Sequence, residues 1–299
     1  MSAAVCPPGI TSGPWHIAVP AASELGEHPV WDIDRQRLIW TDCAAGMVHA
    51  SGTGSDTVVW TEPEGRPVGV TLLRVCGGLA IATGSRIVLL DNDGRPDRAP
   101  IEVPIDTAQV RFNDGSCDPV GRLLVGTTGG DADRLGELFS VDTDGQVRRL
   151  LGDLTESNGI GWSPDGRRLY FIDSGEPVVH VFDYDVDKGR LGERREFASI
   201  DPTLGYLDGL TVDSAGDIWI AVWAGSQLRR YDPNGRLRAV ISRPVSYPTC
   251  PAFGGSTLDT LYVTSARREY ISGAEEAWAG HVLAWPGAGQ GTAPHRYGG

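Results

Sequence analysis

Six short apolar runs punctuate the chain: Leu38-Ile39-Trp40, Leu79-Ala80-Ile81, Leu123-Leu124-Val125, Leu169-Tyr170-Phe171, Ile218-Trp219-Ile220 and Leu261-Tyr262-Val263. Their starts fall roughly 40 to 50 residues apart, the length of one four-stranded propeller blade. Turn signals precede four of them: Asp118-Pro119-Val120-Gly121, Pro164-Asp165-Gly166, Asp213-Ser214-Ala215-Gly216 and Gly254-Gly255-Ser256. Further turns at Asn92-Asp93-Gly94, Thr143-Asp144-Gly145 and Asn234-Gly235 follow β-rich runs. Glycine, Asp and Asn tolerate the backbone angles of tight hairpins. No stretch carries a long helical period, so helices are expected to be minor. The pattern predicts an all-β chain folded as a six-bladed β-propeller. Trp15-His16-Ile17-Ala18-Val19 and His281-Val282-Leu283-Ala284-Trp285 both read as strands, and pairing them would close the ring and remove exposed sheet edges. Residues 1–299 are expected to form one propeller domain, with about the first 13, rich in Ala, Pro and Gly, a loose arm.

The same register carries polar residues. About ten to twelve residues before each apolar run, a propeller's innermost strand should begin near the central channel. Glu27 stands there in the first repeat, Asn113 in the third, Asn158 in the fourth and Asp208 in the fifth, while Gly69 and Pro248-Thr249 occupy the second and sixth. Taken singly, Asn or Asp before glycine is an ordinary turn signal. Four oxygen-bearing side chains in one register argue for convergence at one end of the axis. Glu27 weighs most, because Glu is not a turn former and Leu25-Gly26-Glu27-His28-Pro29-Val30-Trp31 leads straight into a strand. Two carboxylates and two amides around one point would repel or stay unsatisfied unless a cation joined them. Oxygen donors suit hard ions, so one divalent ion is expected: Ca²⁺, Mg²⁺ or Mn²⁺, with Zn²⁺ at an adaptable open site.

Charge and composition narrow the partners. The 299 residues hold 26 basic and 39 acidic side chains, a formal charge of −13, which repels nucleic acid and anionic membranes. The segment 1–14 has neither a basic start nor an apolar core of signal-peptide length, and no run approaches about 18 apolar residues, so a cytoplasmic location is expected. Cys6, Cys43, Cys76, Cys117 and Cys250 are odd in number and far apart, which argues for reduced thiols and against a disulfide framework or thiolate zinc. Asp183-Tyr184-Asp185-Val186-Asp187-Lys188-Gly189 imitates a calcium loop, but its glycine is one place late and Arg194 stands where the bidentate Glu belongs, so a hairpin turn is expected. No G-x-S-x-G elbow or P-loop is present, and no histidine pair has ligand spacing. His28, beside Glu27, is a candidate for the pocket rim.

At these residues the sequence resembles the regucalcin, gluconolactonase and luciferin-regenerating enzyme family. The matching segments are Gly26-Glu27-His28-Pro29-Val30-Trp31, Arg111-Phe112-Asn113-Asp114-Gly115, Ser157-Asn158-Gly159, Asp208-Gly209 and Cys250-Pro251-Ala252-Phe253-Gly254-Gly255 with Leu261-Tyr262-Val263-Thr264. The resemblance implies a divalent ion held by Glu27, Asn158 and Asp208, with Arg111 and Asn113 on the substrate, and hydrolysis of aldonolactones or related esters. It also directs attention to Asp131 and Asp133, in the stretch where family members place an acidic substrate ligand. His28 and Leu207 depart from the small residue and the proline frequent in the family at those positions.

Metal-bound lactone carbonyls are electrophilic, and Asp208 is the expected base for the attacking water. The expected partner is a small-molecule lactone, and the expected state a monomer. Two alternatives stand beside this reading: a propeller esterase or phosphotriesterase using the same ion, and a non-catalytic binding propeller stapled by the ion.

Overall fold

The computed structural model describes residues 10–52, 54–130, 134–242, 245–267 and 276–299. They form six sheets arranged as the blades of a β-propeller. From the axis outward, blade one comprises Gly26–Asp32, Arg37–Asp42, Met47–Ser51 and Thr57–Thr61. Blade two is Val68–Leu73, Leu79–Thr83, Arg86–Leu90 and Ile101–Glu102, and blade three Arg111–Cys117, Leu123–Thr128, Gly136–Val141 and Val147–Leu154. Blade four is Ser157–Trp162, Arg168–Asp173, Val178–Asp185 and Arg190–Ser199, and blade five Tyr206–Val212, Ile218–Trp223, Gln227–Tyr231 and Leu237–Ser242. Blade six runs Pro248–Gly254, Thr260–Ser265, Val282–Pro286 and then His16–Val19 from the other end of the described chain. Among the described residues the helical content is one 3-10 turn, Pro202–Leu204, and no helix is long and apolar enough to cross a membrane.

Each predicted apolar run is the second strand of its blade. That strand is covered on both faces by neighbouring blades, so Ile39, Ile81, Leu124, Phe171, Ile220 and Leu261 are all fully buried. Burial on two faces explains why these strands read as continuous apolar runs and not as alternating ones. The expected turns form as hairpins, with Gly166 and Gly216 at φ +70° and +85°, a region an L side chain enters only with strain. The calcium-like segment is a turn between Val178–Asp185 and Arg190–Ser199, where the Asp185 carboxylate accepts from the Lys188 amide at 3.0 Å.

The ring closes as the two terminal runs predicted, with His16 opposite Ala284 and Ile17 opposite Leu283. The loose arm is corrected in part. Ile10–Ser12 pairs parallel to Leu237–Ser242, in register Thr11 with Ile241, because blade five would otherwise expose an unsatisfied edge there. A second seam was not visible in the sequence pattern. Tyr297 is fully buried among blades two and three, its hydroxyl donating to the Asp142 carbonyl at 3.0 Å and its amide to the Leu73 carbonyl at 2.8 Å.

One irregularity recurs in every innermost strand. Register shifts fall between Glu27 and Val30, Val68 and Val70, Phe112 and Gly115, Asn158 and Ile160, Leu207 and Leu210, and Pro248 and Pro251. These are bulges, devices that re-aim a side chain by breaking strand alternation. The Asp114-Gly115, Asn158-Gly159 and Asp208-Gly209 pairs are therefore bulges inside strands, whereas Asn234-Gly235 and Asp165-Gly166 are turns between strands. Glycine is required at such points where neighbouring inner strands meet: a Cβ on Gly159 would stand 2.8 Å from the Asp208 carbonyl.

Candidate metal and substrate site

The bulges bring Glu27 of blade one, Asn158 of blade four and Asp208 of blade five to the same end of the axis. Asn158 and Asp208 are buried, and the Asn158 Nδ2 donates to Asp208 Oδ1 at 2.7 Å. The same amide nitrogen donates to Ser174 Oγ at 3.1 Å, and Ser174 donates onward to the Leu207 carbonyl at 2.7 Å, fixing blade four against blade five. On blade one, the Asp42 carboxylate accepts from the amides of Glu24 and Leu25 at 2.8 and 3.1 Å, which pins the chain as it enters the strand carrying Glu27. Asp173 does the same on blade four, accepting from the amides of Thr155 and Glu156.

Beside this group lies a polar chain from blade three. Arg111 Nη1 donates to Asn113 Oδ1 at 2.9 Å and to the Phe112 carbonyl at 3.0 Å, and it touches Cys43 Sγ at 3.6 Å. Asn113 Nδ2 donates to Glu156 Oε1 and to the Ser157 carbonyl, each at 3.1 Å. No described carboxylate lies within ion-pair distance of Arg111. Its guanidinium is half-buried and held by neutral groups, which leaves its charge for a ligand. At the same end, Trp223 and Tyr247 pack together with ring centroids 4.8 Å apart.

Asp131 and Asp133 lie outside the described residues. His28 is directed away from the expected rim. It occupies the bulge of blade one at φ +47°, and its Nε2 meets the Gly115 carbonyl at 2.5 Å and Asp114 Oδ1 at 3.5 Å. There it lines the interior of the channel, a cavity of about 150 Å³ shared with Asp114, Cys250 and Trp162 and bounded by Thr292 to His295. The left-handed backbone turns its ring across to blade three instead of up beside Arg111.

Burial and like charge act together on the two carboxylates. Burial raises Glu27 well above the ordinary carboxylate range, and the charges of Asp208 and Asp114 raise it further, against one lowering contact from the His28 amide. Burial likewise raises Asp208, with Glu156 and Asp114 adding to the rise and the Asn158 hydrogen bond opposing it. Desolvated like charges of this kind are costly unless an ion or protons neutralise them. Among the described residues no three His, Cys, Asp or Glu side chains gather closely enough to hold an ion by themselves. Beside the two carboxylates the Asn158 side-chain amide carries a third oxygen, which accepts from the Gly159 amide at 3.0 Å. Two carboxylates and one amide are a fitting donor set for a hard divalent ion, so the residues present suit such a group.

Glu156 and Cys43 were missed in the sequence. Glu156 reads as a solvated connector residue just outside the inner-strand register, and its signal would have been an acid two places before a candidate ligand. Cys43 stands 68 positions from Arg111, a contact that only the blade packing creates. Its thiol is pushed up to about 11 by burial, with Arg111 opposing, and is a neutral neighbour at neutral pH.

A six-bladed propeller whose inner strands converge carboxylate and amide oxygens on the axis beside an arginine defines a class of axial-site propellers. Within that class the chain belongs to the SMP-30/Gluconolactonase/LRE-like family, whose model matches residues 25–267. It is 37% identical over 272 residues, covering 89% of both chains, to a 6-deoxy-6-sulfogluconolactonase of Pseudomonas putida. It is 37% identical over 252 residues, covering 83% of this chain and 84% of the other, to a pentonolactonase of Haloferax volcanii. A solved structure of a calcium-binding regucalcin from Agrobacterium tumefaciens superposes with a TM-score of 0.87 at 26% identity, covering 96% of this chain and 99% of that one.

Proposed function

We propose that this protein hydrolyses sugar lactones, with a divalent ion held by Glu27, Asn158 and Asp208. The observation that carries the reading is the pairing of two desolvated carboxylates and an amide with the Arg111–Asn113 polar chain at one end of the axis. The names of relatives that match across most of the chain support the reaction class. The calcium-binding description of the regucalcin neighbour supports the ion.

The overall reaction adds the oxygen of water to the lactone carbonyl carbon and breaks the bond between that carbon and the ring oxygen. One proton of the water ends on the freed hydroxyl, and the new carboxylic acid ionises near neutral pH. A bound ion would supply Lewis-acid polarisation of the carbonyl. Arg111 orients the sugar through its forked donors, and Asn113 is held by Arg111 and Glu156 in the same polar chain. Asp208 Oδ2, the oxygen not engaged by Asn158 Nδ2, accepts the proton of the attacking water. Trp223 and Tyr247 offer an apolar wall beside these groups.

The test is proton release in a pH-stat with a panel of aldonolactones, aryl esters and organophosphates, using protein stripped of metal and resupplied with single ions. Selective, ion-dependent opening of aldonolactones is expected. Preference for aryl esters or organophosphates favours the alternative hydrolase, and inactivity of the ion-loaded protein on every compound favours a binding propeller.

A further inference from the structure

We propose that Ser174 is a positioning residue for the ion site, whose hydroxyl fixes which end of the Asn158 side-chain amide is oxygen and so keeps that oxygen available to a divalent ion. The inference rests on the reading of Glu27, Asn158 and Asp208 as ion donors and adds a residue that touches no ion itself.

Ser174 opens the turn that follows Arg168–Asp173, the second strand of blade four. Its place is set by the backbone. Its amide donates to the Glu156 carbonyl at 3.0 Å, and the neighbouring Asp173 carboxylate, fully buried, accepts from the Gly175 amide at 3.3 Å. The Glu176 amide closes the same turn on the Asp173 carbonyl at 2.9 Å. From there Ser174 Oγ stands between two blades, 2.7 Å from the Leu207 carbonyl oxygen and 3.1 Å from Asn158 Nδ2.

The direction of these bonds follows from the protons available. A main-chain carbonyl has none to give, and two oxygens rest 2.7 Å apart with a proton between them, so the single hydroxyl proton of Ser174 is committed to Leu207. The Ser174 oxygen can then only accept. The amide atom facing it must be a donor, which places the Asn158 nitrogen on the side of Ser174 and Asp208 and its oxygen on the side of the Gly159 amide. This order holds whatever the charge of Asp208. A side-chain amide is nearly symmetrical in shape, and turned over it would present NH₂, which binds no cation. In the order Ser174 imposes, Asn158 Oδ1 accepts one bond, from Gly159 at 3.0 Å, and keeps an acceptor position for an ion. Partners that orient a ligand from behind are worth about 10–100-fold in metal affinity.

The test measures ion uptake by the chelator-stripped protein, with Mn²⁺ counted by electron paramagnetic resonance and Ca²⁺ by calorimetry. Ser174→Ala removes the acceptor that excludes the turned amide and should raise Kd about 10–100-fold. Ser174→Thr retains the hydroxyl and should stay near wild type. The sharpest comparison repeats Ser174→Ala in an Asn158→Asp background. A carboxylate offers oxygen whichever way it turns, so the loss should largely vanish there, whereas a serine that merely braced the two blades would cost the same affinity in both backgrounds. Equal losses in the two backgrounds, an unchanged Kd in Ser174→Ala, or a Ser174→Thr protein as weak as the alanine variant overturns this inference alone. An Asn158→Asp protein that takes up no ion overturns it as well, because oxygen is then present in either orientation. Wild-type protein that takes up neither ion strikes the ion site itself, and this inference falls with it.

Discussion

Replacing Asp208 by Asn should make the ion-free protein more stable and the ion-loaded protein less responsive. The carboxylate is buried, and burial and the Glu156 charge both raise its proton affinity. Without an ion at neutral pH, an ionised Asp208 carries a desolvation cost, while a protonated one carries the cost of holding a proton far above its unfolded pKa; an amide escapes both. Its oxygen can still accept from Asn158 Nδ2, which now reaches Asp208 Oδ1 at 2.7 Å. Removing one buried charge that no cation offsets is worth about 1–3 kcal/mol, or roughly 2–5 °C in Tm for a chain of this length. The ion works in the opposite direction, stabilising wild type by about 2.7 kcal/mol at 100 times its Kd, a gain the variant should largely lose. The pH dependence has a definite sign. Glu27 and Asp208 have folded pKa values above their unfolded ones, so their stabilising contribution is full below about pH 4 and is lost as pH rises through the raised folded values. Thermal unfolding of both proteins with chelator and with ion, between pH 4 and 8, measures this directly. A variant less stable than wild type in chelator, yet equally stabilised by ion, would refute the reasoning.

Other perturbations separate the roles of individual residues. Arg111→Ala should impair turnover of polyhydroxylated lactones while metal content, read by elemental analysis, stays intact, since the guanidinium contacts Asn113 and Cys43 and none of the three donors. At saturating ion, Asp208→Asn should remain slower by roughly two to four orders of magnitude, the usual worth of a general base, and near-complete rescue by ion would remove that role. Tyr297→Ala should cost about 3–5 kcal/mol in denaturant unfolding, because it empties a fully buried ring position between blades two and three.

The architecture was legible because two independent patterns shared one period. Runs such as Leu38-Ile39-Trp40 mark strands covered on both faces, and the polar residues ahead of them mark the bulged entrances of the inner strands. Repetition made Glu27, Asn158 and Asp208 stand out from ordinary turn chemistry. Position around the axis was harder to read. Glu156 reaches Asn113 across 43 residues of sequence and has no counterpart in the repeat that would single it out. His28 sits next to a candidate ligand in sequence, but its positive φ sends the ring down the channel. Tyr297 belongs to a segment without strand pattern, and its burial arises only because blades two and three leave a slot that the chain fills. Ile10–Ser12 is too short to show a period and gains order from the edge it covers.

The central claim is that Glu27, Asn158 and Asp208 hold one ion on which lactone opening depends. The most direct measurement is a titration of chelator-stripped protein with single divalent ions, following bound ion per chain and proton release from an aldonolactone in the same samples. Activity should rise in proportion to occupancy and reach its plateau at one ion per chain, and Glu27→Gln, Asn158→Ala and Asp208→Asn should each weaken the binding. Full lactone opening by the stripped protein, or undiminished occupancy in all three variants, would contradict the account.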